Sequence, residues 1–265
     1  DQVVERGGIS AREVLDGLMA LGPALYWTTG PDITGNGYQF FWQEWPTTVR
    51  YEATLEDGGA FPTTTTELYT SDIEGRNERK LTTFNDALNK EIAWSDAEFF
   101  TYRSVDNLEI EAWLMKPHGY QPGKKYPMVM YIHGGPHSAY GDGWFDEFQN
   151  LAGAGMFVLF TNPRGSTGTN AAFTNASRGD WGGKDYQDLM KAVDIVSVRP
   201  DVDSMRMGVT GGSYGGFMTA WITTKTNRFK AAEADRMISD WNAWWGTTDV
   251  QSLTNDEFFG RPWEN

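Results

Sequence analysis

One serine in this chain stands where chemistry is expected of it. Gly211-Gly212-Ser213-Tyr214-Gly215 fits G-x-S-x-G, and an apolar run ending in Thr210 precedes it while Phe217, Met218, Trp221 and Ile222 follow at helical spacing. A strand, a sharp turn and a helix in that order make a nucleophile elbow. The turn is tight enough to demand glycine on either side of the serine. It pushes the Ser213 hydroxyl clear of the backbone and leaves the Tyr214 N–H free at a helix N-terminus, where it can donate to a developing oxyanion. A passive serine in a glycine-rich turn is the plainer reading, and the flanking strand and helix weigh against it.

A second motif supplies the other half of an oxyanion hole. His133-Gly134-Gly135-Pro136 follows directly on the apolar run Met128–Ile132. A glycine pair in this place lets backbone N–H groups approach a substrate carbonyl, and Gly135 is the expected donor. His133 is expected to shape its loop rather than act as a base, because in this type of fold the triad runs serine, acid, histidine. The chain has three histidines, at 118, 133 and 137, and none follows Ser213. A serine needs a base near neutral pH, so the expectation is a chain truncated before the triad Asp and His, with little activity by itself.

Other chemistries find no support in the residues. There is no cysteine, which removes disulfides, thiolate nucleophiles and Cys-based zinc sites. The histidines have no metal-ligand spacing, and Gly183-Lys184 lacks the rest of a phosphate-binding loop. No metal and no cofactor is expected. A formal net charge of −14 repels phosphate backbones, so nucleic acid is not an expected partner. No apolar run is long enough to cross a bilayer and the N-terminal residues do not form a signal peptide, so no membrane association is expected. Forty per cent hydrophobic residues argue against global disorder. The absence of cysteine suits cytosol and periplasm alike; a cytoplasmic location is the working expectation, with periplasmic or secreted forms left open.

The elements that must position these motifs fall into two stretches. Residues 1–88 read as β: Ala24–Thr29, Tyr38–Trp45, Val49–Leu55 and Glu67–Ile73 are short aromatic or β-branched runs at about ten-residue spacing. A turn at Glu74-Gly75-Arg76-Asn77 leads into a return strand, and residues 10–21 suit a short helix. Residues 89–265 begin with a hairpin, Phe99–Ser104 and Leu108–Met115, turned at Asp106-Asn107. Strand and helix then alternate: Met128–Ile132, a helix through Phe145 to Ala152, Met156–Phe160, a helix from Tyr186 to Val196, Met207–Thr210, and the helix after Ser213. This order builds an α/β domain with a mostly parallel sheet covered by helices on both faces.

With these residues assembled, the chain resembles the prolyl oligopeptidase family of serine peptidases, in its acylaminoacyl-peptidase and dipeptidyl-peptidase branch. The resemblance covers roughly residues 65–265. It rests on Leu114–Pro117, Tyr131–His137, Thr161–Gly168, Asp180–Asp185, Gly211–Met218 and Trp241–Gly246, in that order. It implies a partial α/β-hydrolase domain preceded by the last part of a β-propeller in residues 1–88. It also implies Ser213 as nucleophile through an acyl-enzyme, short peptides or blocked amino acids as substrates, and compatibility with a homo-oligomer. Trp244 and Trp245 fall where family members place aromatics near the P1 pocket, ordinary core being the other reading. Arg164 is expected to brace loops at the site or, less directly, to contact substrate. Glu233 and Asp235 depart from the family's apolar pattern on their strand, so that strand is expected to be less buried than usual. A carboxylesterase with the same elbow and a non-catalytic fragment are the alternative functions.

Overall fold

A computed structural model of the chain describes residues 67–141 and 143–264, together with four short strands before them. The expected helix at residues 10–21 lies outside the described residues. The backbone divides into two compact units, one of residues 1–52 and 67–84, the other of residues 53–66 and 85–265.

The first unit holds two small antiparallel sheets. Strands β1 (Tyr26–Pro31) and β2 (Tyr38–Gln43) pair with each other. Strands β3 (Thr48–Arg50), β5 (Tyr69–Ser71) and β6 (Arg79–Lys80) form a three-stranded sheet in the order β3-β5-β6. The turn between β5 and β6 is built around Asp72, whose carboxylate accepts from the backbone N–H groups of Glu74 and Arg76, with Gly75 and Asn77 in left-handed conformations. Asp, Gly and Asn are the residues that tolerate such a turn.

The second unit is built on a seven-stranded sheet with β4 (Ala60–Phe61) as one of its two edge strands. Strands β7 (Ala97–Arg103) and β8 (Glu109–Met115) form the expected hairpin, and Asp106 and Asn107 at its turn both have positive φ. The alternating segment then supplies β9 (Tyr126–Ile132), β10 (Phe157–Asn162), β11 (Val202–Gly212) and β12 (Ala231–Asp235). The order across the sheet is β12-β11-β9-β10-β8-β7-β4. Pairings within β12-β11-β9-β10 are parallel, and those within β10-β8-β7-β4 are antiparallel. The sheet is therefore mixed, not mostly parallel as the sequence suggested. The β7–β8 hairpin is antiparallel within itself, and it joins the sheet through β8, which runs antiparallel to β10.

Helices cover both faces. They are α1 (Asp86–Glu91), α2 (Asp146–Gly153), α3 (Ala171–Asn175), α4 (Lys184–Ser197), α5 (Tyr214–Lys225), α6 (Trp241–Thr247) and α7 (Ser252–Phe258). Strand side chains alternate between the two faces. On one face Leu114, Met130, Leu159 and Val209 pack with Leu189 and Val193 of α4 and Met218 and Ile222 of α5. On the other, Trp113, Met115, Val158 and Phe160 pack with Phe148 and Ala152 of α2. Each fully buried Leu, Met or Phe contributes roughly 1.5–3 kcal/mol, so the two layers hold the ends of β9 and β11 firmly. Strand β12 forms the other edge, with Ala231, Ala232 and Glu233 exposed. Its charged residues are accommodated because the edge is solvated. Among the described residues no helix is long and apolar enough to cross a membrane.

Candidate active site

Parallel strands β9 and β11 lie side by side in register, Ile132 opposite Gly211. Both end at the same edge of the sheet. The loop that follows β9 therefore meets the turn that follows β11, and His133-Gly134-Gly135 faces Gly212-Ser213. This adjacency is a consequence of topology: two segments nearly eighty positions apart converge because their strands are neighbours.

Ser213 is the N-cap of α5 and has φ 60° and ψ −120°. A side-chain-bearing residue rarely adopts that conformation, and residues held in it cluster at active sites, ligand clamps and switch regions. The residue is exposed, between buried Gly212 and buried Tyr214. Glycine is required on both sides for contact reasons. A Cβ on Gly211 would lie 2.5 Å from the Ile132 carbonyl oxygen, and one on Gly215 would overlap that same oxygen. The first hydrogen bond within α5 runs from the Phe217 N–H to the Ser213 carbonyl, so the N–H groups of the first turn have no acceptor inside the helix.

The glycine loop lies against the serine. A Cβ on Gly134 would stand 3.2 Å from the Ser213 Cβ and 3.8 Å from its Oγ. Gly135 has φ +124°, which suits glycine alone. The loop is stitched down on both sides of the pair. His133 is buried, with Nε2 2.8 Å from Ser166 Oγ and Nδ1 2.7 Å from the Gly134 carbonyl oxygen. Burial also lowers its basicity. Both ring nitrogens face partners within the loop region, as expected of a loop-shaping histidine.

A cavity of about 330 Å³ opens beside Ser213 and Gly134. Its walls carry Tyr131, Tyr140, Trp144, Phe145 and Phe148, with Arg236 at the Gly212 side. Trp244 and Trp245 are not among the residues lining this cavity. Both are half-buried on α6, where Trp244 packs edge-on against Trp241 and Trp245 against Trp263.

Arg164 is buried, and its guanidinium grips Asp188 of α4 with Nε–Oδ2 2.8 Å and Nη2–Oδ1 2.9 Å. Its backbone N–H donates to the same carboxylate, and Nη2 reaches the Val105 carbonyl at 3.3 Å. The side chain thus ties the loop after β10 to α4 and to the β7–β8 turn. Asp185, one turn earlier on α4, accepts from the Tyr214 hydroxyl at 2.6 Å. Burial pushes the Asp185 carboxyl up to about 6, held back by donors from Tyr214, Gly182 and Tyr186. Asp185 and Asp188 occupy the apolar stripe of α4 at i, i+3, and acids within an apolar stripe are the signal by which such buried, partnered carboxylates can be found in a sequence. Glu257 on α7 is another residue that pattern reading passed over; it is 1% exposed and hydrogen-bonds His137 and Trp181. Among the described residues no cluster of His, Asp and Glu is arranged to hold a metal ion.

Comparison with known proteins agrees with this geometry. Residues 144–265 match the prolyl oligopeptidase family model. An uncharacterized peptidase of Bacillus subtilis, YuxL, is 47% identical over 196 residues, which span 74% of this chain and 30% of that protein. Dipeptidyl-peptidase 5 of Schizosaccharomyces pombe is 36% identical over 162 residues, 59% of this chain and 24% of that protein. The solved acylaminoacyl peptidase of Pyrococcus horikoshii superposes with a TM-score of 0.71 at 32% identity, covering 78% of this chain and 33% of that one. The chain spans about a third or less of the length of these relatives. An elbow serine, a glycine loop brought against it by adjacent parallel strands, and these matches over one continuous stretch lead to one conclusion: residues 144–265 of this chain belong to the prolyl oligopeptidase family.

Proposed function

We propose that Ser213 is the nucleophile of a serine-type peptidase that cleaves short peptides, in the manner of acylaminoacyl- or dipeptidyl-peptidases. The observation that carries this reading is the exposed Ser213 at φ 60° on the N-terminus of α5, facing Gly134 across the strand ends. Ser213 Oγ attacks the scissile carbonyl carbon while a base takes its proton. The oxyanion is held by the N–H groups of Gly135 and Tyr214. The C–N bond then breaks, the amine leaves with the proton, and water releases the acyl group from the serine ester. His133 and His137 are engaged elsewhere, so the base is proposed to come from sequence outside residues 1–265. The share of the relatives' length that this chain spans supports that reading.

The aromatic cavity beside Ser213 supports an apolar group on the substrate. Trp244 and Trp245 are proposed, on the family resemblance, as a further aromatic surface on the P1 side, and Arg164 as a brace. Residues 1–88 are proposed as the end of a propeller-like domain. The test is labelling of the full reading frame with a fluorophosphonate, and turnover of an aminoacyl anilide against a short-chain nitrophenyl ester. Labelling and anilide turnover that vanish in Ser213→Ala are expected. Equal labelling of Ser213→Ala overturns the assignment, and an ester-only profile moves it to a carboxylesterase.

A further inference from the structure

The glycine pair opposite Ser213 sits between two histidines, and both reach out of the loop. His133 meets Ser166 in the loop after β10, and His137 reaches farther. Its Nδ1 lies 2.8 Å from the Gly165 carbonyl oxygen and its Nε2 2.8 Å from Glu257 Oε1. The His137 side chain is 25% exposed and that of Glu257 is 1% exposed. The other Glu257 oxygen accepts from Trp181 Nε1 at 3.0 Å, and Arg178 Nε lies 3.7 Å from Oε1. The Glu257 carbonyl accepts from the Gly179 N–H at 2.7 Å. One carboxylate on α7 thus gathers the loop after β9, the loop after β10 through Gly165, and the 178–181 segment.

The partners of His137 are both acceptors. A carbonyl oxygen and a carboxylate oxygen each require an N–H, so the ring meets both only when both nitrogens carry protons. A hydrogen bond to a nearly inaccessible carboxylate is well directed, because the acceptor is held in place by its own partners. One residue, Pro136, separates His137 from Gly135, so the bond fixes the glycine segment from its far end as His133 fixes it from its near end.

We infer that His137 and Glu257 are positioning residues that hold the Gly134–Gly135 segment at the distance from Ser213 that an oxyanion requires. The inference rests on the hydrolase reading above. Neither residue touches substrate. Their contribution is to the placement of backbone donors, where a displacement of about 1 Å lowers the rate on the order of 10²-fold.

The experiment is a double-mutant cycle in the full-length protein, using His137→Ala, Glu257→Ala and both together, with Ser213→Ala as control. Each single variant is expected to lower kcat by roughly 10- to 100-fold with KM within a few-fold, and the double variant to be no worse than the more damaged single. Glu257→Gln supplies the rescue and guards against misfolding. Its carboxamide accepts from Trp181 and donates to the unprotonated Nε2 of a neutral His137, so kcat is expected to return to within about threefold. Multiplying losses, an effect on KM alone, or a Glu257→Gln variant as impaired as Glu257→Ala would overturn the positioning role. If Ser213→Ala retains turnover, the hydrolase reading itself has failed; if only Ser213→Ala loses it, the clamp has failed and the hydrolase reading stands.

Discussion

The Tyr214 hydroxyl donates a 2.6 Å hydrogen bond to the Asp185 carboxylate, with both side chains buried. The residue that follows the elbow serine is therefore anchored by its side chain to α4, while its backbone N–H heads α5 beside Ser213. Desolvation pushes the Asp185 carboxyl from 3.8 up to about 6. For an acid with a raised folded-state value, the folded protein holds a proton that the unfolded chain has released. The stability this group contributes is complete below about pH 4 and is lost as pH rises through about 6. The difference amounts to ~3 kcal/mol. Urea unfolding of wild type and Asp185→Asn at about pH 4 and about pH 7 checks it: the gap between the two proteins is expected to move in favour of the Asn variant by that order as pH rises.

Glycine substitutions at the elbow separate packing from catalysis. A Cβ on Gly215, in the first turn of α5, overlaps the Ile132 carbonyl oxygen at the end of β9 and crowds the His133 carbonyl oxygen as well, so the backbone itself has to shift. Gly215→Ala is expected to cost about 3 kcal/mol or more in denaturant unfolding. A Cβ on Gly134 instead stands 3.2 Å from both the Ser213 Cβ and the Gly212 carbonyl oxygen, contacts that a shift of a few tenths of an ångström relieves. Gly134→Ala is expected to keep stability within about 1 kcal/mol and to lower kcat on the order of 10²-fold in the full-length protein.

Arg164 and Asp188 form a buried bidentate pair. Arg164→Ala leaves the Asp188 charge buried with only hydroxyl and backbone partners, and a loss of about 3–5 kcal/mol is expected in chemical denaturation. Arg164→Lys keeps the charge but not the planar fork and is expected to lie between the two. Replacing both residues by apolar ones of similar volume is expected to recover most of the loss.

The isolated 265-residue chain is expected to turn over an aminoacyl anilide at a rate indistinguishable from its Ser213→Ala variant. His133 and His137 are held by Ser166 and Glu257. His118 follows β8, whose last residue Met115 pairs near the start of β10, at the opposite edge of the sheet from Ser213. Turnover by the purified chain that Ser213→Ala abolishes would contradict that expectation.

Local order decided much of what was legible in advance. The elbow, the glycine loop and the Asp106-Asn107 hairpin each depend on residues within a few positions of one another. Glycine, Asn and Asp report their backbone conformation directly, because few other residues enter positive φ at low cost. The helices from Lys184 and from Tyr214 and the strands at β9 and β10 follow from apolar spacing, and the charges at Glu233 and Asp235 signalled a strand less buried than its neighbours. Only the tertiary structure decided that the sheet is mixed, that Arg164 spends its guanidinium on Asp188, that the cavity beside Ser213 draws on Tyr131, Tyr140 and Trp144, and that Glu257 reaches His137 across 120 positions. Those facts depend on which strands become neighbours and which buried charges find each other. A chain's local preferences carry no record of either, because pairing and burial are settled by free energies summed over the whole fold.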